Sequence, residues 1–100
     1  MSTLNTKNRK PTHPGAILRE DVLPSLNITQ TELADRLGVS RRTISQIIHE
    51  QRPITPDMAI RLAHLLDTTP ESWLNMQQKL DVWELERRNA HSYELIKKAA

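Results

Sequence analysis

The chain predicts an all-α fold of five helices, the last one long, with room for a sixth short helix at the C-terminus. Three observations carry that prediction. No apolar stretch alternates with the period of two that a half-buried strand needs. Glycine is confined to Gly15 and Gly38. The same helix-start grammar, a hydroxyl residue followed by a proline or by a glutamate at the third position, recurs along the chain. At 100 residues there is enough chain for one core and not for two.

Residues 1–12 are polar and without period, and read as a loose arm. His13-Pro14-Gly15 opens the first helix, with Pro14 at the first position, where a missing N–H costs nothing. Ile17, Leu18 and Val22 follow at helical spacing, and Pro24 is expected to end or kink this helix near Leu23. Thr29-x-x-Glu32 is a capping box for the second helix, which turns Leu33, Ala34 and Leu37 inward and stops at Gly38. Ser40 caps a third helix that runs to about His49, and Gln51-Arg52-Pro53 forms a loop. Thr55-Pro56-Asp57 starts the fourth helix, with Ala59, Leu62, Ala63 and Leu66 as its buried stripe. Thr69-Pro70-Glu71 opens the longest helix, about 70–89, and Ser92 is the expected cap of a short terminal one. The organisation is thus an arm (1–12), a helical domain (13–90) and a C-terminal tail or short helix (91–100).

Residues 30–48 hold the most specific signal. Two helices that cross steeply at a tight turn need a small residue where their backbones approach and a glycine at the turn. Ala34 and Gly38 stand four residues apart to supply them. Ile44 and Ile47 follow ten and thirteen residues after Ala34, the offsets at which the second helix of a helix-turn-helix is anchored. At 100° per residue Ile44, Ile47 and Ile48 share one arc, and Arg42, Ser45, Gln46 and His49 share the opposite one, with Arg41 at its edge. Arg suits guanine O6 and N7, Gln suits adenine N6 and N7, and Ser suits either. Gln30, Ser40 and Thr43, at helix N-termini, suit phosphates, as does Arg52 in the following loop. The expected partner is double-stranded DNA, entered by the third helix.

The long helix is apolar on two sides. Trp73, Met76, Leu80 and Trp83 fall in an arc of about 80°, a normal core stripe, whereas Leu74, Val82 and Leu85 lie on the far side of the wheel. A second subunit would cover that far side; otherwise the first helix and the arm cover it internally. A dimer also suits DNA, because two probes on a two-fold axis read half-sites about 34 Å apart.

Other chemistry is not indicated. The net charge is +2, with eight Lys and Arg against five Asp and Glu in residues 1–52, and six against seven in residues 53–100. The basic excess therefore sits with the suspected probe. His13, His49, His64 and His91 are scattered, and Asp81, Glu84 and Glu86 read as a solvated face, so neither a metal site nor paired catalytic carboxylates are expected. The Met and Trp stripe reads as core, so no cofactor or small-molecule ligand is expected, and no enzyme. Without cysteine, a secretory leader or an apolar run near 20 residues, the chain fits the reducing cytoplasm and no membrane.

Residues 13 to about 86 closely resemble the HigA family of antitoxins from type II toxin–antitoxin modules. That family shares the Xre/lambda-repressor-like helix-turn-helix fold. The marks are His13-Pro14-Gly15, Arg52-Pro53-Ile54-Thr55, Trp73-Leu74-Asn75 and Asp81-Val82-Trp83. The resemblance implies two tasks, neutralising a RelE-like mRNA endonuclease toxin of HigB type and repressing the chain's own operon at a palindromic operator as a homodimer. It carries recognition onto Gln30, Ser40, Arg41, Arg42, Thr43, Ser45 and Gln46. The sequence departs from the family at His49-Glu50-Gln51-Arg52, where relatives often have Asn-Gly, and a different loop path is expected there. A stand-alone regulator without a toxin, or a toxin-binding module without operator function, are the alternatives.

Overall fold

The computed structural model describes residues 9–99, so the first eight residues of the expected arm lie outside it. Among the described residues all regular structure is helical. Helix α1 comprises three consecutive segments, Pro14–Ile17, a π-turn over Leu18–Val22, and Leu23–Leu26. It is followed by α2 (Gln30–Leu37), α3 (Arg41–Ile48), α4 (Pro56–Leu66), α5 (Pro70–Arg88) and α6 (Ala90–Glu94).

The helix starts lie where the local chemistry puts them. Thr29 Oγ1 accepts the Glu32 N–H at 3.1 Å while the Glu32 carboxylate accepts the Thr29 N–H at 3.1 Å, a complete capping box. Ser40, Thr55 and Thr69 cap α3, α4 and α5 by accepting the N–H groups of Thr43, Met58 and Ser72 at 3.1, 3.2 and 3.2 Å. Gly38 ends α2 at φ +72°, and the Val39 N–H reaches the Ala34 carbonyl at 3.0 Å.

Two expectations are corrected. The helix does not end at Pro24, although its regular α geometry is interrupted by a π-turn just before it. The Leu23 N–H reaches back five residues to the Leu18 carbonyl, and this wide turn moves aside the carbonyl that the Pro24 ring would meet in a regular helix. The helix therefore runs on to Leu26. It stops where Asn27 turns left-handed (φ +53°), with the Ile28 N–H bonded to the Leu23 carbonyl at 3.3 Å. Ser92 is not a cap: it lies inside α6, which starts after Asn89. Helical bonds bridge the junction, from Asn89 N–H to Leu85 O at 2.9 Å and from Tyr93 N–H to Asn89 O at 3.1 Å, so no fresh cap is needed.

The core gathers one face of every helix from α1 to α5. Leu18, Leu33, Leu37, Ile44, Ile47, Ile48, Met58, Ala59, Leu62 and Trp73 are all buried in it, along with Ile54 from the loop before α4. Of the fourth helix's stripe, Ala59, Leu62 and Ala63 are buried and Leu66 is half-buried. No helix among the described residues is long and apolar enough to cross a membrane.

Candidate nucleic-acid interface

The turn between α2 and α3 brings the two helices into close contact. Ala34 is 1% exposed at the crossing, and any larger side chain there would separate the backbones. The α2 C-terminus would leave its last carbonyls unpartnered, but Arg61 of α4 donates to the Leu37 carbonyl at 2.8 Å and is itself held by Asp57 at 2.9 Å.

Helix α3 then divides by face. Ile44, Ile47 and Ile48 are fully buried. Opposite them, Arg41 and Arg42 are exposed, and Ser45 and Gln46 are half-buried. No ion pair among the described residues engages Arg41, Arg42 or Arg52. The Ser40 hydroxyl sits 2.9 Å from Thr43 Oγ1, and the Arg52 guanidinium donates to the same Thr43 oxygen at 3.5 Å. Ser40, Thr43 and Arg52 are thus brought together at the N-terminus of α3, where the helix dipole and unpaired N–H groups favour an anion. Gln30 is half-buried in the first turn of α2. His49 is placed differently: its Nδ1–H donates to the Ser45 carbonyl at 2.7 Å, so the ring folds back over the end of α3.

Residues 18–74 match the Helix-turn-helix domain family. Antitoxin HigA-1 of Vibrio cholerae is 36% identical over 89 residues, which is 89% of this chain and 84% of that protein. A Haemophilus influenzae protein described as an uncharacterized HTH-type transcriptional regulator is 47% identical over 78 residues, 78% of this chain and 73% of its own length. A solved structure of Pseudomonas aeruginosa antitoxin HigA with the higBA promoter superposes with a TM-score of 0.84 at 36% identity, covering 90% of this chain and 99% of the other. The chain belongs to the HigA-type family of helix-turn-helix antitoxins and DNA-binding regulators. That family is not enzymatic.

Within this HigA-type fold the His13-Pro14-Gly15 mark has a structural cause. The His13 ring is buried, and its Nδ1 accepts the Gly15 N–H at 2.8 Å as the cap of α1. A Cβ at Gly15 would lie 1.8 Å from the Ile47 carbonyl oxygen, so only glycine lets α1 touch the backbone of α3. Burial lowers the His13 pKa from its ordinary 6.5, against the opposing pull of Glu50, a hydrogen bond to the Arg52 backbone, Glu84 and Asp81.

Several residues that shape the interface escape sequence reasoning. Arg19 of α1 donates to the Ile48 carbonyl at 2.6 Å, closing the C-terminus of α3, and pairs with Glu20 at 2.9 Å and Glu50 at 3.3 Å. Gln77 of α5, 6% exposed, accepts the Ile54 N–H at 2.9 Å. The glycine-free loop after α3 makes a left-handed turn, with Glu50 at φ +61°, and the Gln51 N–H bonds the Gln46 carbonyl at 2.7 Å. Glutamate takes the place suited to Asn or Gly, anchored by Arg19.

On α5 the expected core stripe is only partly a core stripe. Trp73 and Leu80 are buried and Met76 is half-buried, but Trp83 is half-buried with the Arg87 guanidinium 4.2 Å from its ring centre. Of the far-side residues, Leu74 is half-buried against this chain's own core, whereas Val82 and Leu85 are 47% and 42% exposed. Residues 9–12 run beside α5, with Lys10 3.6 Å from Glu84, and leave Val82 and Leu85 open.

Proposed function

We propose that this chain binds a palindromic operator as a homodimer, represses its own operon, and neutralises a RelE-like mRNA endonuclease toxin of HigB type in the cytoplasm. Residues 13–90 form the DNA-binding and dimerising unit, flanked by the arm and the C-terminal tail. Arg42, Ser45 and Gln46 read base edges, while Gln30, Ser40, Arg41, Thr43 and Arg52 engage phosphates. His49 serves mainly to close α3. Val82 and Leu85, with Leu74 at the margin, form the subunit contact.

One observation carries the reading of the DNA. The exposed arginines of α3 have no acidic partner among the described residues, on the face opposite three buried isoleucines. Charged side chains held on a rigid helix without internal partners are suited to an external polyanion. The promoter complex of the Pseudomonas aeruginosa relative supports the same assignment.

The test is fluorescence anisotropy with a labelled duplex spanning the region immediately upstream of the reading frame, titrated at several salt concentrations. Specific binding weakens as log[salt] rises, with a slope near −0.9 per phosphate neutralised. Arg42→Ala and Gln46→Ala each cost about 1–3 kcal/mol and relax base preference at one position. If both bind like wild type, or if random duplex competes equally, the assignment of this face fails. Co-purification with the product of an adjacent RelE-type reading frame, and rescue of growth from it, tests the second task. Failure of that rescue would select the alternative of a stand-alone regulator without a toxin.

A further inference from the structure

Gln77 and His13 are the two buried polar residues among those described, and both line the cavity beside the loop that carries Arg52. On α5, Gln77 stands between the buried Trp73 and Leu80, one turn away on either side. An apolar residue there would bury as much surface at no polar cost, so a glutamine needs a polar reason. Both ends of its amide are used. Oε1 accepts the Ile54 N–H at 2.9 Å, and Nε2 donates to Asp81 Oδ1 at 2.9 Å, which fixes the orientation of the amide. Ile54 is 4% exposed, so its N–H would have no solvent to turn to. Two residues upstream, Arg52 reaches Thr43 of α3. The loop is therefore held from α5 by Gln77, beside a polar cavity of about 340 Å³ lined in part by His13, Arg52, Gln77 and Asp81.

We propose that Gln77 is a positioning residue for DNA binding: by holding the Ile54 amide it sets the backbone from which Arg52 reaches across Thr43 to a phosphate. Helix α5, which carries the proposed subunit contact, is thereby coupled to the DNA-facing end of α3. The inference rests on the DNA reading above. It adds that a buried residue on the opposite side of the loop from DNA controls one phosphate contact per half-site.

The experiment uses the full chain and the same upstream duplex. Gln77→Met keeps the length of the side chain and removes the acceptor; Gln77→Asn withdraws the amide by one methylene and serves if the methionine variant does not fold. Concentrations are matched by folded fraction, measured by circular dichroism. Either variant is expected to lose roughly tenfold in affinity per contact. Its salt slope is expected to fall by about 0.9 per half-site. Arg52→Ala shows the same two changes, and adding it to the Gln77 variant causes no further loss, because both remove one contact. The exchange Gln77→Glu with Asp81→Asn, which keeps an acceptor for Ile54 and a hydrogen bond between positions 77 and 81, restores affinity and slope. A residue that only supported the fold would lower the melting temperature and leave binding per folded molecule unchanged. That outcome overturns the inference, as does additivity with Arg52→Ala or an Arg52→Ala variant that binds like wild type. If Arg42→Ala and Gln46→Ala are also silent, the DNA reading itself has failed; if they weaken binding and the Gln77 variants do not, only the positioning role has.

Discussion

Replacing Gly15 by alanine adds one methyl group at the point where α1 meets α3. The new Cβ would lie 1.8 Å from the Ile47 oxygen, 2.7 Å from the Ile47 carbonyl carbon and 3.0 Å from His13 Nδ1. An ordinary carbon–oxygen approach is about 3.3 Å, so the helices must part by roughly 1.5 Å. The opposing atoms are backbone, which cannot swing away as a side-chain tip can. Overpacking of this kind costs about 1–3 kcal/mol. Displacing His13 from its cap costs about another 1 kcal/mol. The better helix propensity of alanine returns at most about 1 kcal/mol. The net loss is roughly 1–3 kcal/mol, a fall in melting temperature on the order of 4–24 °C for a domain of this size. Urea and thermal denaturation followed by circular dichroism measure it directly. A Gly15→Ala variant within about 0.5 kcal/mol of wild type would show that the two backbones do not touch.

Three further outcomes are expected. His13 has a lowered pKa in the folded chain, so the unfolded chain takes up its proton first; stability is full above pH 6.5 and is lost as pH falls through that value toward the folded pKa. Melting curves between pH 8 and 5 should show this loss, and His13→Asn, which can still cap, should flatten it; equal pH dependence in the two proteins refutes the role of His13. Glu50 sits at φ +61°, so Glu50→Gly relieves left-handed strain while Glu50→Ala keeps it, and both lose the Arg19 pair. Glycine should be the more stable of the two by about 1 kcal/mol in urea titrations, and equality would mean that the turn is unstrained. Leu85→Glu places a charge in the proposed subunit contact and should convert a dimer to a monomer in sedimentation at micromolar concentration; a wild-type monomer would remove the contact altogether.

What the sequence disclosed was local. The caps at Thr29, Ser40, Thr55 and Thr69 each depend on a hydroxyl and an N–H three residues away, and the stop at Gly38 on one backbone angle. Such features are legible because the interacting groups are written next to each other. The candidate face of α3 was legible for the same reason, through the helical repeat of Ile44, Ile47 and Ile48. Pro24 does not end its helix because the rule for termination assumes a regular helix, and a π-turn makes room for the ring. Gln77 and Ile54 are 23 residues apart, Arg61 and Leu37 are 24 apart, and Arg19 and Ile48 are 29 apart. Nothing in a single sequence pairs residues at such separations. Trp83 had the spacing of a core residue, yet α5 outruns the core at that point and the ring is capped by an arginine from its own helix.

The two arginines that close the ends of α2 and α3 affect how a mutational survey of this protein should be interpreted. Arg61 holds the Leu37 carbonyl and Arg19 holds the Ile48 carbonyl, and each has an acidic companion that offsets its charge. Neither has a charge left over for a polyanion, so a tally of positive residues overstates how many can answer to DNA. If the proposed interface holds, alanine at either position would nevertheless reduce operator occupancy, by loosening the end of a helix whose other residues are proposed to make the contact. Salt dependence separates the two kinds of arginine: replacing Arg42 or Arg52 should change the slope, whereas replacing Arg19 or Arg61 should shift the whole line and leave its slope unaltered.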